Sequence, residues 1–486
     1  MSIHAHHPAE ALSATPPAES RRPWTVLTVA LVAQVLVVLD ISVVNTALPS
    51  IATALHLGEN DLQAIVTAYL MCSGGGLLLG GRIADLLSRR TVFLSGLGVF
   101  ALASLASGFA DSAAQLVTAR AIQGMSAAVL TPSALSLIMT TYDGDQRRKG
   151  LALWGVVGSL GVAAGVVVGG ALTTWVSWHL IFWVNVPIGI IALLAGQHAI
   201  PRVPRTGAAS LRRFDLPGAA TVIGGLSTLV LALSGTSTYG WTSVRTLATV
   251  AGSAALLAGF VLWERRAFEP LFPRHVWRVR TLVSGTAVML GITGILVGAV
   301  FLTSILLQAQ LGFTALQAGL GFLPFAFAIT VGAVLARHAM AHVAPRVVAS
   351  IGLVSTGGAA ALLASVPAHA SYTADLVPGL VALGIGVGLV FAPVSVTAMA
   401  GIPESHAGLA SGFLMTGHEV GAALGVAVLS AAANAAGSLT DPAQVVDAFC
   451  RGMLVAGIAA GALAVLAWSR LPSAKVAAGT GTHRHH

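Results

Sequence analysis

Residues 24–51, WTVLTVALVAQVLVVLDISVVNTALPSI, decide what kind of molecule this is. From Trp24 to Leu39 the run is apolar, with Gln34 its one strongly polar residue; Asp40 follows, and the apolar run resumes beyond it. Helices of about 20 apolar residues cross a bilayer, so this stretch reads as a membrane span. Asp40 then lies about 24 Å along the helix from Trp24, well inside hydrocarbon. A carboxylate there costs about 2.5–3.5 kcal/mol on insertion scales, and such a residue is by default a functional hypothesis.

The rest of the chain obeys the same solvent. Of its 486 residues, 56% are hydrophobic and only 9% charged, where a soluble domain carries about 25% charged. The formal charge of +8 comes from short basic clusters between apolar runs, the pattern of membrane topology rather than a nucleic-acid footprint, and no nucleic-acid partner is expected. Cys72 and Cys450 lie in or near apolar runs and form neither a disulfide framework nor a thiolate metal site. The histidines at 4, 6, 7, 483, 485 and 486 sit in polar tails without a scaffold, and His338 and His342 lack a third ligand, so no metal and no cofactor are expected. Neither lysine near the soluble segments belongs to a P-loop: Lys149 follows Arg148 and Lys475 follows Ala474, where glycine is required. An ATP motor is thereby excluded, and with no HExxH helix and no GxSxG elbow the chain is not read as an enzyme.

Fourteen apolar runs qualify as spans, at approximately 24–54, 60–84, 91–110, 114–141, 149–174, 178–200, 215–235, 246–264, 281–311, 315–337, 346–366, 374–400, 406–436 and 447–470. Residues 1–23, polar and ending in a basic pair, form an uncleaved N-terminal tail, because the apolar run after them is too long for a signal peptide. With that tail cytoplasmic, all of the 25 Lys and Arg residues except Arg120, Arg245 and Arg451 fall on the inner side. Both termini are therefore expected in the cytoplasm and the protein in the plasma membrane. A faint echo of residues 81–92 in 336–348 is consistent with two pseudo-symmetric six-helix bundles, 24–200 and 281–470. Between them lies a 201–280 segment carrying two extra helices, and a 471–486 tail closes the chain. Duplicated halves around a midplane site are a transporter design.

Several linked motifs sharpen this. LDISVVNTALP at 39–49, GGRIADLLSRR at 80–90, RAIQGMSAA at 120–128, WHLIFWVNVPIG at 178–189, FDLPG at 214–218, EPLFP at 269–273, LQAGLGFLP at 316–324 and GLASGFLMTGHEVGAALG at 408–425 follow one another in order. In these the chain resembles the major facilitator superfamily, and within it the fourteen-helix drug:proton antiporters of the EmrB/QacA type. The resemblance implies an all-α membrane fold and export of a drug, antibiotic or other amphiphile in exchange for protons. Proton-coupled uptake of a small metabolite by the same fold is the alternative, because nothing in the residues fixes direction. The expected partners are a small molecule, protons and the lipid bilayer, with the chain acting as a monomer.

Each candidate residue has a plainer reading beside it. Asp40 is either a proton or substrate coupling group or a structural hydrogen bond; desolvation favours its neutral form when buried and water its charged form, which suits exchange. Arg120 lies at nearly the same depth, and a buried cation requires a partner, for which Asp40 is the nearest choice. The resemblance implies a part in proton coupling, against a role in fixing two helices. Glu419, about 18 Å into its span, is a second protonation site, a selector for cationic substrates, or packing. Asp85 with Arg89 and Arg90 is, by the resemblance, a conformational latch between spans 2 and 3, although positive-inside bias alone accounts for the two arginines. Gln34, Asn45, Gln123 and Gln308, with Asn185 and Gln310, are cavity candidates or helix glue. Gly161, Gly165 and Gly169 form a helix-packing face in span 5.

Overall fold

In the computed structural model, residues 23–201, 215–267, 270–271, 279–400, 402, 407–439 and 441–472 are described. The elements are α1 (Pro23–Leu55), α2 (Glu59–Leu86), α3 (Arg89–Ser107), α4 (Ala113–Thr141), α5 (Gly144–Trp175), α6 (Leu180–Trp183), α7 (Asn185–Ala199), α8 (Leu216–Tyr239) and α9 (Val244–Glu264). They continue with α10 (Arg280–Ala309), α11 (Ala315–Gly321), α12 (Leu323–His342), α13 (Pro345–Leu363), α14 (Val377–Met399, entered through a π turn at Tyr372–Leu376), α15 (Ala407–Asn434) and α16 (Val445–Arg470). The described residues contain no strand. Both polar tails lie outside the described residues, as does the segment from 202 to 214.

Local chemistry sets the breaks. The first helix ends where His56 turns left-handed at φ 52° and the Leu57 amide reaches back to the Ala52 carbonyl, a Schellman-type stop. The α6/α7 and α11/α12 breaks each precede a proline by two or three residues, Pro187 and Pro324, whose rings remove a backbone donor. Each pair still makes one continuous span, Leu180–Ala199 and Ala315–His342.

Twelve helices among the described residues are long and apolar enough to cross a membrane, in place of the fourteen expected from the sequence. The two that fall short are α2 and α5. Among the described side chains neither has an unbroken run of that length and apolarity, and in α5 the run is Ala164–Trp175. Both are helices of span length nevertheless, 28 and 32 residues. Each is packed among neighbours: α2 against α4, α8 and α15, and α5 against α1 and α11.

Glycine makes those approaches possible. Gly161, Gly165 and Gly169 face Val38, Ser42 and Val43–Thr46 in turn, where an added Cβ would lie 3.1, 2.7 and 2.8 Å from the nearest atom. The expected packing face is thus laid along α1, on the stretch that carries Asp40. On the next residue of the same helix, Gly170 takes the backbone of Ala315–Leu316 in α11. Elsewhere α10 packs on α15, α12 and α13 on α14, and α13 on α16, while α8 and α9 pack on each other. Helix α8 also touches α2 and α15.

Candidate functional site

Asp40 sits on the inner face of α1 with 1% of its surface exposed. The spacing of Arg120 and Gln123, three residues apart, puts both on one face of α4, and that face meets α1. Arg120 Nη1 donates to Asp40 Oδ2 in a buried ion pair. Gln123 Nε2 donates to Asp40 Oδ1 at 2.8 Å and Gln123 Oε1 accepts from Arg120 Nη1 at 2.8 Å. A third donor arrives from the α6/α7 break: Asn185, the first residue of α7, gives Nδ2 to Asp40 Oδ1 at 3.1 Å and to Ser104 Oγ of α3 at 3.1 Å. Ser104 in turn donates to the Phe182 carbonyl at 2.8 Å.

Two aromatic rings stand against the guanidinium. Arg120 Cζ stands 4.2 Å from the centroid of the Tyr69 ring and 5.9 Å from that of Phe182. Gly124 permits this, since a Cβ there would fall 2.2 Å from the Tyr69 carbonyl. In the motif RAIQG, therefore, Arg and Gln bind the carboxylate and Gly admits α2.

The charge balance is close: one carboxylate, one guanidinium and two amides, all buried. Breaking such a pair by removing one partner costs about 3–5 kcal/mol, because the other charge is left uncompensated. All three groups that touch Asp40 donate to it. The spare capacity lies in Asn185 Oδ1, Arg120 Nε and the Tyr69 hydroxyl, all buried without a hydrogen-bond partner.

The remaining candidates disperse. Asn45 and Gln308 do not join Asp40: the Asn45 carbonyl accepts from Ser304 Oγ at 2.8 Å, and Gln308 Nε2 donates to the Thr46 carbonyl at 3.2 Å, binding α1 to α10 nearer the Leu55 end. Gln310 donates to the Ala368 carbonyl. Gln34 is half-buried with its Oε1 unpartnered. Glu419 lies on the α15 face that meets Gly74 of α2; its Oε1 is 3.5 Å from His418 Nδ1 and its Oε2 is buried without a partner.

Of the latch residues, Arg90 donates to the Ile200 and Gln197 carbonyls at 2.8 and 2.6 Å. It thereby caps the C-terminus of α7, whose orphan carbonyls and negative dipole end suit a cation. Arg89 is exposed at the start of α3, and the side chain of Asp85 lies outside the described residues. A different carboxylate organises this end of the molecule. Asp215, left-handed at φ 44°, accepts from Gly218 N, Trp263 Nε1 and Leu271 N, and Glu264 shares the Leu271 amide. Arg82 donates to the neighbouring Pro270 carbonyl at 3.0 Å. The FDLPG and EPLFP segments thus tie the α8–α9 hairpin to the end of α2.

Sequence reasoning missed Tyr69, Ser104 and Phe182. A signal existed for the first: membrane tyrosines concentrate at the interfaces, whereas Tyr69, one of only four tyrosines, stands about 15 Å into α2.

Residues 30–426 match the sequence profile of the Major Facilitator Superfamily. The puromycin resistance protein pur8 of Streptomyces alboniger is 36% identical over 474 residues, 94% of this chain and 93% of its own. The cephamycin export protein CmcT of Amycolatopsis lactamdurans is 36% identical over 91% of this chain and 90% of its own. The tetracenomycin C resistance and export protein of Streptomyces glaucescens is 32% identical over 88% and 79%. Among solved structures, a peptide transporter POT in complex with sulfate superposes with a TM-score of 0.65 at 16% identity, covering 92% of this chain and 95% of its own. At that identity the likeness is one of fold alone.

Proposed function

The chain belongs to the major facilitator superfamily, and from that premise we propose that it is a secondary active transporter exporting an antibiotic or similar amphiphilic compound in exchange for protons. The observation that carries the reading is Asp40, enclosed within the N-terminal half and held by Arg120, Gln123 and Asn185. Export rather than uptake is favoured by relatives that span most of the chain and are named for resistance and export. A proton moving down 100 mV contributes about 2.3 kcal/mol, enough to drive accumulation against a gradient.

In this reading Asp40 binds and releases the proton and Arg120 answers its change of charge. Glu419, with an unpartnered buried oxygen, is a second titrating group or a contact for cationic cargo. We further read α2 and α5 as spans shielded by their neighbours, which completes the fourteen-helix antiporter type. The halves 24–200 and 281–470 are then bridged by the α8–α9 pair, through contacts of α8 with α2 and α15, one helix of each half. The basic clusters support a reading with both termini in the cytoplasm; in the same reading the protein acts as a monomer in the plasma membrane, and Asp85, Arg89 and Arg90 form a cytoplasmic latch.

The test is transport in proteoliposomes with an imposed pH gradient, using puromycin, a cephamycin and tetracenomycin C as first probes. Drug-dependent proton flux is expected from the parent and is lost in Asp40→Asn. Undiminished flux in that variant refutes the assignment.

A further inference from the structure

Arg120 raises a question that the Asp40 reading alone leaves open. Once Asp40 carries a proton, a guanidinium only 2% exposed has no anion in contact, and its Nε already lacks a partner. A buried cation in that position is costly. Three contacts persist: Gln123 Oε1 at 2.8 Å, the face of Tyr69, whose centroid lies 4.2 Å from Arg120 Cζ, and the Phe182 ring, farther off at 5.9 Å. Aromatic faces attract guanidinium groups within about 6 Å, more strongly when both are desolvated. The Tyr69 side chain is fully buried and its hydroxyl makes no hydrogen bond, so its ring, rather than its hydroxyl, is what it offers the site.

We propose that Tyr69 is a positioning residue of the proton site: its ring face retains the Arg120 guanidinium while Asp40 is protonated, and so sets how readily Asp40 accepts the proton. The proposal rests on Asp40 being the proton-carrying group. The ionisable groups within electrostatic reach of Tyr69 are Asp40 from α1, Arg120 from α4 and Glu419 from α15, the last with His418 beside it. From α3, α6 and α7 come Ser104, Asn185 and Phe182, and α8 carries no charged side chain. A neutral carboxyl and a cation held on a ring are tolerable neighbours. Without the ring, Arg120 depends on the carboxylate, and protonation of Asp40 is resisted.

The direction of the effect is therefore fixed. Weakening the negative ring face moves Asp40 protonation to lower pH, whereas a residue that merely fills space has no such influence. The experiment uses the full-length protein in liposomes, with Tyr69→Phe and its mono-, di- and trifluorinated phenylalanine counterparts, which keep the shape of the ring while draining its face. The readout is infrared titration of the carboxyl band that Asp40→Asn removes. Tyr69→Phe is expected to keep the parent midpoint, and fluorination to lower it stepwise, by roughly half a pH unit or more across the series. A midpoint that stays fixed across the series overturns the proposal while leaving Asp40 as the proton carrier. So does a midpoint displaced as far by Tyr69→Phe as by full fluorination, which would assign the effect to the hydroxyl. If the parent has no titrating Asp40 band, the coupling reading itself fails and this role falls with it.

Discussion

Asp40 and Arg120 lie 80 residues apart in sequence and meet as a fully buried pair, and that pairing was legible because each is an expensive charge at a similar depth in its span. The rest of the cluster was not. Asn185 reaches Asp40 beside the break that precedes Pro187, and Tyr69 reaches Arg120 where Gly124 admits α2; each residue carried a signal in the sequence, as a polar group in a span or a tyrosine away from the interface, but its pairing did not. The pair yields a double-mutant prediction. Arg120→Gln leaves Asp40 buried and uncompensated, and is expected to cost about 3–5 kcal/mol. Asp40→Asn combined with Arg120→Gln removes both charges and recovers most of that loss without restoring proton flux. Thermal unfolding in detergent checks the first part, and a double variant as unstable as Arg120→Gln would sink it. Outside the spans, burial beside Trp178 pushes the His179 imidazole below its ordinary value. On acidification the unfolded chain gains that proton first, so His179's share of stability is present above about pH 6.5 and is lost as pH falls through the lower folded value. His179→Gln is expected to reduce the drop in melting temperature between pH 7.5 and 5, and an unchanged drop would show that the ring contributes nothing.

Helices were easier to read than their partners or their surfaces. Apolar runs gave the helical segments to within a few residues, but hydropathy treats each helix as if lipid surrounded it, and α2 and α5 are surrounded largely by other helices. Glycine in both, as at Gly165 facing Ser42 and Gly74 facing Glu419, is what lets neighbours approach. The same logic applies where α10 crosses α15. A Cβ on Gly425 would fall 2.1 Å from the Gly294 carbonyl oxygen and 2.2 Å from its Cα, backbone that no rotamer can move aside. Gly425→Ala must therefore separate the two helices, at about 1–3 kcal/mol. Gly461, with nothing within 4 Å of its added Cβ in α16, is the control: Gly461→Ala is expected to be neutral or to gain up to about 1 kcal/mol from helix propensity. Size-exclusion recovery after heating compares the two. Equal melting curves would mean that the α10–α15 crossing is not a tight constraint.

At the scale of the whole molecule, the fold follows from the order of the motifs, but the closed end does not, because every state of an alternating transporter shares one sequence and differs only in which contacts are made. The structure supplies them. Around the Leu55 end of α1, Ser304 donates to the Asn45 carbonyl and Gln308 to the Thr46 carbonyl, and the Leu316 amide donates to Thr174 Oγ1 at 3.0 Å. Gly170 and Gly319 bring the backbones of α5 and α11 into contact beside them. These bonds join helices from 24–200 to helices from 281–470, so under alternating access they must break once in every cycle. Of the two cavity candidates beside this seam, Gln308 bonds across it, whereas the Asn45 side chain donates to the Ile41 carbonyl of its own helix and leaves its Oδ1 without a partner. The seam is testable by locking the contact. Thr174→Cys with Leu316→Cys, in a background lacking Cys72 and Cys450, places two thiols where a side chain already meets a backbone amide. Oxidation is expected to abolish drug-driven proton flux, and reduction to restore it, while drug binding from the Pro23 side survives both treatments. Full transport by protein shown on a gel to be cross-linked would mean that this seam never opens, and that access to Asp40 alternates somewhere else.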